Sequence, residues 1–151
     1  MRPIHSSILA IVAMLLVTAP ALAESKVFQC KRLRISDQKL QTQMRTVTRQ
    51  TDGDRMDQIV RMLKILENGT QQIRTMRLED AKLEGFKQRV VEVYAQDHDD
   101  LVDAYEAARR QDRAATEKAL QKFDKGQMKE RTALPTQVRQ YCGFSVLENI
   151  R

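Results

Sequence analysis

The sequence predicts an all-α chain: an antiparallel up-down-up-down four-helix bundle closed by a disulfide between its ends. Three observations carry that prediction. From Val27 to Cys142 the apolar residues recur at steps of three and four, the helical period, and no stretch alternates as a strand does. Five Gly and three Pro among 151 residues leave too few turns for a sandwich or a barrel. The only two cysteines, Cys30 and Cys142, stand near the start of the first helical segment and the end of the last. Four staves with short connections bring those two places to the same end.

The first stripe is Leu33, Leu40, Met44, Val47 and Thr51. Thr51-Asp52-Gly53-Asp54 breaks it, and Asp54 is placed to cap the second helix, with Asp57 in the first turn. The second stripe is Met56, Ile59, Leu63, Leu66, Ile73 and Met76. Asn68-Gly69 is a C-terminal signal, but Ile73 and Met76 continue the same face, so the helix is expected to reach Arg77-Leu78. The third stripe runs from Leu83 through Phe86, Val90, Tyr94, Leu101 and Tyr105 to Ala108, and Gln111-Asp112 offers the next turn, with Asp112 as cap. The fourth is Leu120, Phe123, Leu134, Val138 and Tyr141, with Pro135 expected to kink or restart it. Gly143 stops it, and the apolar tail of Phe144, Val146, Leu147 and Ile150 is expected to fold over one end. Staves of about 22 to 31 residues would be about 33 to 46 Å long.

Residues 1–23 read as a secretory signal peptide, leaving 24–151 as a single domain. Arg2 supplies the positive start, Ile8 to Val17 the apolar run, and Ala21-Leu22-Ala23 the small-x-small cleavage site. The run is short for a bilayer span, and no cysteine follows it to carry a lipid. Cleavage after Ala23 leaves 128 residues with 25 basic and 20 acidic side chains. The expected location is outside the cytoplasm, in a periplasm or beyond the cell, with no transmembrane segment in the mature chain. In an oxidising compartment an even pair of cysteines reads as one disulfide, Cys30–Cys142.

The run Leu78-Glu79-Asp80-Ala81-Lys82-Leu83, then Phe86, Arg89-Val90-Val91 and Tyr94, then Ala107, Asp112, Ala119 and Tyr141-Cys142, resembles a group of small secreted bacterial proteins. These are uncharacterised helical-bundle proteins with a cysteine near each end of the mature chain. The resemblance spans most of residues 27–143; it implies the same fold and no activity.

Helical bundles often hold cofactors, and the residues argue against each. Covalent haem needs Cys-x-x-Cys-His, which is missing. A non-covalent haem would want Met and His on facing helices, and Met44 faces a fourth helix without His. A di-metal carboxylate centre needs Glu-x-x-His, whereas Ala95 stands three before His98. A zinc site lacks ligands. Neither Gly-x-Ser-x-Gly nor a phosphate loop is present. The expectation is a non-enzyme without cofactor or metal. Asp97-His98-Asp99-Asp100 reads as a solvated acidic face, because His98 has Tyr94, Ala95, Leu101 and Val102 at helical offsets.

Asp97 breaks the third stripe, and Gln127 breaks the fourth at nearly the same height. They are expected to form a polar layer in the bundle, completed by Thr46 or Thr48. Such a layer either fixes helix register or makes a pocket for a small ligand or ion.

Charge is uneven along the chain: +7 over residues 26–77, −5 over 78–112 and +4 over 113–151. Lys31, Arg32, Arg34, Arg74, Arg77 and Arg139 are expected to converge at the disulfide end, with Lys26 and Lys82, opposed by Glu79, Asp80 and Glu84. Such a pole suits an anionic surface, lipid headgroups or acidic cell-wall polymer. No nucleic-acid motif accompanies it. The expected role is binding, to another envelope protein or to such a surface. The alternative is a small-ligand or metal carrier using the Asp97 and Gln127 layer.

Overall fold

Every stave begins on a residue able to accept the orphan N–H groups of a helix end. A computed structural model of the chain describes residues 24–49, 54–126 and 128–143. Helix α1 (Lys26–Arg49) is capped by the Ser25 hydroxyl, which accepts the Phe28 N–H at 3.3 Å. Asp54 caps α2 (Arg55–Arg74) by accepting the Met56 N–H. Asp80 caps α3 (Ala81–Arg109), accepting the N–H groups of Lys82 and Leu83 at 3.0 and 2.9 Å. Asp112 caps α4 (Arg113–Gly126) through the Ala115 N–H, and α5 (Met128–Cys142) completes the fourth stave.

Neighbouring staves run antiparallel, as the ion pairs and capping contacts at each end show. At one end the start of α1 meets the turn between α2 and α3 and the end of α5. At the other, Arg55 at the start of α2 lies 3.9 Å from Glu117 near the start of α4. The sharp turn into α4 puts Gln111 at φ 58°, a left-handed conformation that a non-glycine residue rarely adopts. The Cys30–Cys142 disulfide joins the first and last staves across a sequence separation of 112.

One boundary differs from the sequence reading. Helix α2 ends at Arg74, three residues short of Arg77-Leu78: the Thr75 N–H and hydroxyl turn back onto the Gln71 carbonyl and close the helix. Met76 still packs against the core, from the connection. The fourth stave comprises α4 and α5, with Gln127 between them outside the described residues, and Pro135 lies inside α5. Proline costs a helix one N–H and crowds the carbonyl four residues back; here that cost falls on the Arg131 carbonyl, and the helix runs on. Residues 1–23, residues 50–53 with most of the expected Thr51-Asp52-Gly53-Asp54 turn, Gln127 and the tail from Phe144 lie outside the described residues.

The core is built on Leu33, Leu40, Ile59, Leu66, Ile73, Leu83 and Leu101, each almost wholly buried. Gly69 lies inside α2 for a packing reason. A Cβ there would come within 2.5 Å of the Leu40 side chain, so glycine lets α1 and α2 approach. Helix α3 is the central stave, touching all four other helices and α2 and α4 most extensively. It therefore buries Val93, Ala104 and Ala107 as well as most of the expected stripe.

Candidate functional site

At the disulfide end, side chains from distant parts of the chain satisfy one another. Gln29, 2% exposed, accepts the N–H groups of Glu79 and Asp80 at 2.8 and 3.1 Å and donates to the Glu24 carbonyl. Lys87 is buried on α3 and donates to the Met76 and Arg74 carbonyls, placing a cation at the negative C-terminal end of α2. It also pairs with Glu84 at 2.7 Å. The Tyr141 ring packs on Phe86 and carries the Lys26 ammonium at 3.6 Å and the Lys82 ammonium at 4.6 Å. Its hydroxyl donates to Asp80. The Leu83 N–H first, then that hydroxyl, hold the Asp80 carboxyl below the usual carboxylate range.

The expected basic pole is thereby subdivided. Lys26 and Lys82 are spent on Tyr141, and Arg32 pairs with Glu24 at 2.9 Å while donating to the Arg77 carbonyl. Arg34 and Arg139 line a cleft on the side of the bundle. Lys31, Arg74 and Arg77 remain exposed to solvent.

Helix α1 adds what the charge reading did not contain. It carries seven basic residues and a single acid, Asp37. Asp37 faces inward: its carboxylate accepts the Tyr94 hydroxyl at 2.6 Å and the Gln41 amide at 2.9 Å. Phe28, Lys31, Ile35 and Lys39 follow at steps of three and four, so they share one face, and all four are exposed. Val27, Phe28 and Ile35 stand 63%, 54% and 49% accessible, the most exposed large apolar side chains among the described residues. Arg45 and Arg49 extend the same outward surface.

The polar layer contains Asp97, as expected, and a partner that the expectation lacked. Asp97 is 2% exposed, and its carboxylate is gripped by Arg131, whose Nε donates at 3.1 Å and whose Nη2 bonds the other oxygen. Arg131 also donates to the Phe123 carbonyl and lies over the Phe123 ring. Burial outweighs Arg131 and leaves the Asp97 carboxyl above its ordinary range. Thr46 and Thr48 are exposed and bond carbonyls of their own helix, and Gln127 lies outside the described residues. The acidic face on α3 is also not wholly solvated. Asp100 is 1% exposed and pairs with Lys122 of α4 at 2.8 Å. Among the described residues, no group of three or more His, Cys, Asp and Glu is arranged to hold a metal ion.

A cleft of about 180 Å³ opens between α1, α3 and α5. Its floor is Leu33, Val90, Val93, Leu134 and Val138, and Asp37 with Tyr94 forms one wall. Burial raises the Asp37 carboxyl above its ordinary range, against the hydrogen bonds from Tyr94 and Gln41, and burial pushes the Tyr94 hydroxyl up as well. The folded protein therefore holds the Asp37 proton more tightly than the unfolded chain. Its contribution to stability is present below the ordinary carboxylate range and lost as pH rises through the folded value. Asp37→Asn, which keeps an acceptor for Tyr94, is expected to flatten that part of the stability profile. Urea midpoints at pH 4 and pH 7 check this; an unchanged difference between them would place the dependence on another group.

No described helix is long and apolar enough to cross a membrane. Comparison with known proteins finds no match to a family model, a curated protein or a solved structure.

Proposed function

We propose that this is an exported, non-enzymatic envelope protein that binds anionic lipid surfaces through the outward face of α1. One observation carries the reading: Val27, Phe28 and Ile35 stand exposed among Lys31, Lys39, Arg45 and Arg49, while the only acid of α1 is turned inward. A basic helical face studded with exposed apolar side chains suits the interface of a bilayer, where apolar groups enter the acyl boundary and cations meet headgroups. Each Lys or Arg near such a surface contributes about 1 kcal/mol. The disulfide supports export, because structural disulfides persist in oxidising compartments, and the exposed Arg74 and Arg77 add cations at the disulfide end.

The test is co-sedimentation of the mature protein with phosphatidylglycerol and with phosphatidylcholine vesicles at 20 mM and 150 mM salt. Retention is expected on the anionic vesicles only, weaker at the higher salt because the screening length falls to about 8 Å. K31E/K39E is expected to lower the partition at least tenfold, and F28S/I35S to lower it several-fold. Loss in K31E/K39E with none in F28S/I35S would replace lipid by a purely ionic partner such as an acidic polymer. Equal retention on both vesicle types would remove the reading.

A further inference from the structure

The lateral cleft has no part in the surface reading, and its construction is that of a ligand site. Its floor comes from three helices: Leu33 of α1, Val90 and Val93 of α3, Leu134 and Val138 of α5, all buried. Small-molecule sites are concave, mostly apolar and set with a few polar groups that fix orientation. The polar groups here are arginines Arg34, Arg131 and Arg139, acids Asp37 and Glu130, and two glutamines.

The charges define the ligand. Three arginines and two acids leave the lining at +1. Arg131 is held by Asp97 and Glu130 by Arg89, neither of which lines the cleft, and counting both leaves the same +1. Asp37 is occupied by Tyr94 and Gln41. Among the described residues Arg139 has no ion-pair partner, and its planar fork matches a carboxylate in two parallel hydrogen bonds. A dianion such as a phosphate monoester would meet Asp37 and Glu130 with excess negative charge. A cavity of about 150 Å³ lined by apolar side chains admits benzene, so about 180 Å³ takes an apolar body of similar or slightly greater size.

We propose that the cleft between α1, α3 and α5 binds a small apolar monocarboxylate, its carboxylate on Arg139 at the rim and its hydrocarbon body on the Leu33, Val90, Leu134 and Val138 floor. The site is separate from the outward face of α1 and stands or falls independently of it. Helix α5 forms one wall of the cleft, and among its described residues only Leu134 and Val138 are buried. Its anchors there are the disulfide at Cys142, Tyr141 on Asp80, and the ion pairs of Glu130 and Arg131.

The experiment is calorimetric titration of the mature protein with sodium octanoate, octylammonium chloride and 1-octanol. Octanoate is expected to bind saturably at one site, at least tenfold more tightly than octanol, with no saturable heat from octylammonium. Arg139→Gln, at a half-exposed position, is expected to weaken octanoate at least tenfold and leave octanol unchanged. Lys39→Glu, outside the cleft lining, is expected to change neither. Methyl shifts on octanoate addition should move at Val90, Val93, Leu134 and Val138, a readout that needs no variant. Absence of saturable octanoate binding, equal affinity for the alcohol, insensitivity to Arg139→Gln, or shifts confined to other methyls would each overturn the proposal.

Discussion

Cys30→Ala/Cys142→Ser is expected to lower the free energy of unfolding by about 4–5 kcal/mol. The reason lies mainly in the unfolded chain. A cross-link over 112 positions removes loop-closure entropy that grows with the logarithm of loop length, worth about 4.7 kcal/mol for a loop of about 100 residues. Since a domain of this size has only about 5–15 kcal/mol to lose, the variant would approach unfolding at 37 °C. The folded state adds a local reason. The disulfide fixes the end of α5 against α1, and among its described residues α5 otherwise buries only Leu134 and Val138. Urea denaturation of the oxidised protein, the reduced protein and the double variant checks this. A loss below about 1 kcal/mol in both reduced and mutant forms would show that the disulfide-end hydrogen bonds of Gln29 and Tyr141 suffice without it.

Arg131→Met is expected to cost about 3–5 kcal/mol, the usual penalty when one partner of a buried ion pair is removed. Asp97 would stay in the bundle without its bidentate donor, and the Phe123 carbonyl would lose a hydrogen bond. The double variant D97L/R131M is expected to recover most of the loss, because an apolar pair of similar volume need not be desolvated from charge. The pH dependence follows from burial. The Asp97 carboxyl already sits above its ordinary range, and loss of Arg131 raises it further. A folded state that binds the proton more tightly loses stability as pH rises through that window. The Arg131→Met deficit is therefore largest at neutral pH and shrinks on acidification. A double variant as unstable as the single one would show that Arg131 acts through Phe123 rather than through Asp97.

How far each residue was legible depends on the reach of its partner. Asp97 stands out in the sequence because a carboxylate interrupts an apolar stripe, and that local anomaly needs no fold to be seen. Its partner does not stand out. Matching heights about the turn at 111–112 selects Gln127, which lies outside the described residues, and does not select Arg131, one helical turn later, which grips Asp97. Long side chains in a helix lean toward its N-terminus and cover the turn before their own Cα, so Arg131 reaches back to the height of Asp97. Residue spacing leaves Asp100 on a solvated face, because its burial depends on how α4 packs on α3, which spacing does not specify.

Gln29, Lys87 and Asp37 carry no signal in the sequence. Each is an ordinary polar residue on a helix, and each is buried only because its partner arrives from elsewhere: the Glu79 and Asp80 N–H groups, the end of α2, and the Tyr94 hydroxyl. The outward face of α1 was within reach of periodicity. Phe28 and Ile35 fall outside the Leu33 and Leu40 stripe, and their spacing with Lys31 and Lys39 is helical. Charge distribution gives no sign of them, because both side chains are uncharged.

By itself the sequence determined the helical class, the number of staves, the caps at Asp54 and Asp112, and the pairing of Cys30 with Cys142. These follow from interactions within a few residues, or from an even pair of cysteines on a topology that short connections force. Only the tertiary structure decided the partner of Asp97, the burial of Gln29, Lys87 and Asp100, the end of α2 at Thr75, and the cleft where α5 meets α1 and α3. Those features depend on which surfaces of distant helices meet. A repeat of three and four residues sets which side of a helix faces inward, but neither what lies opposite nor how closely it packs.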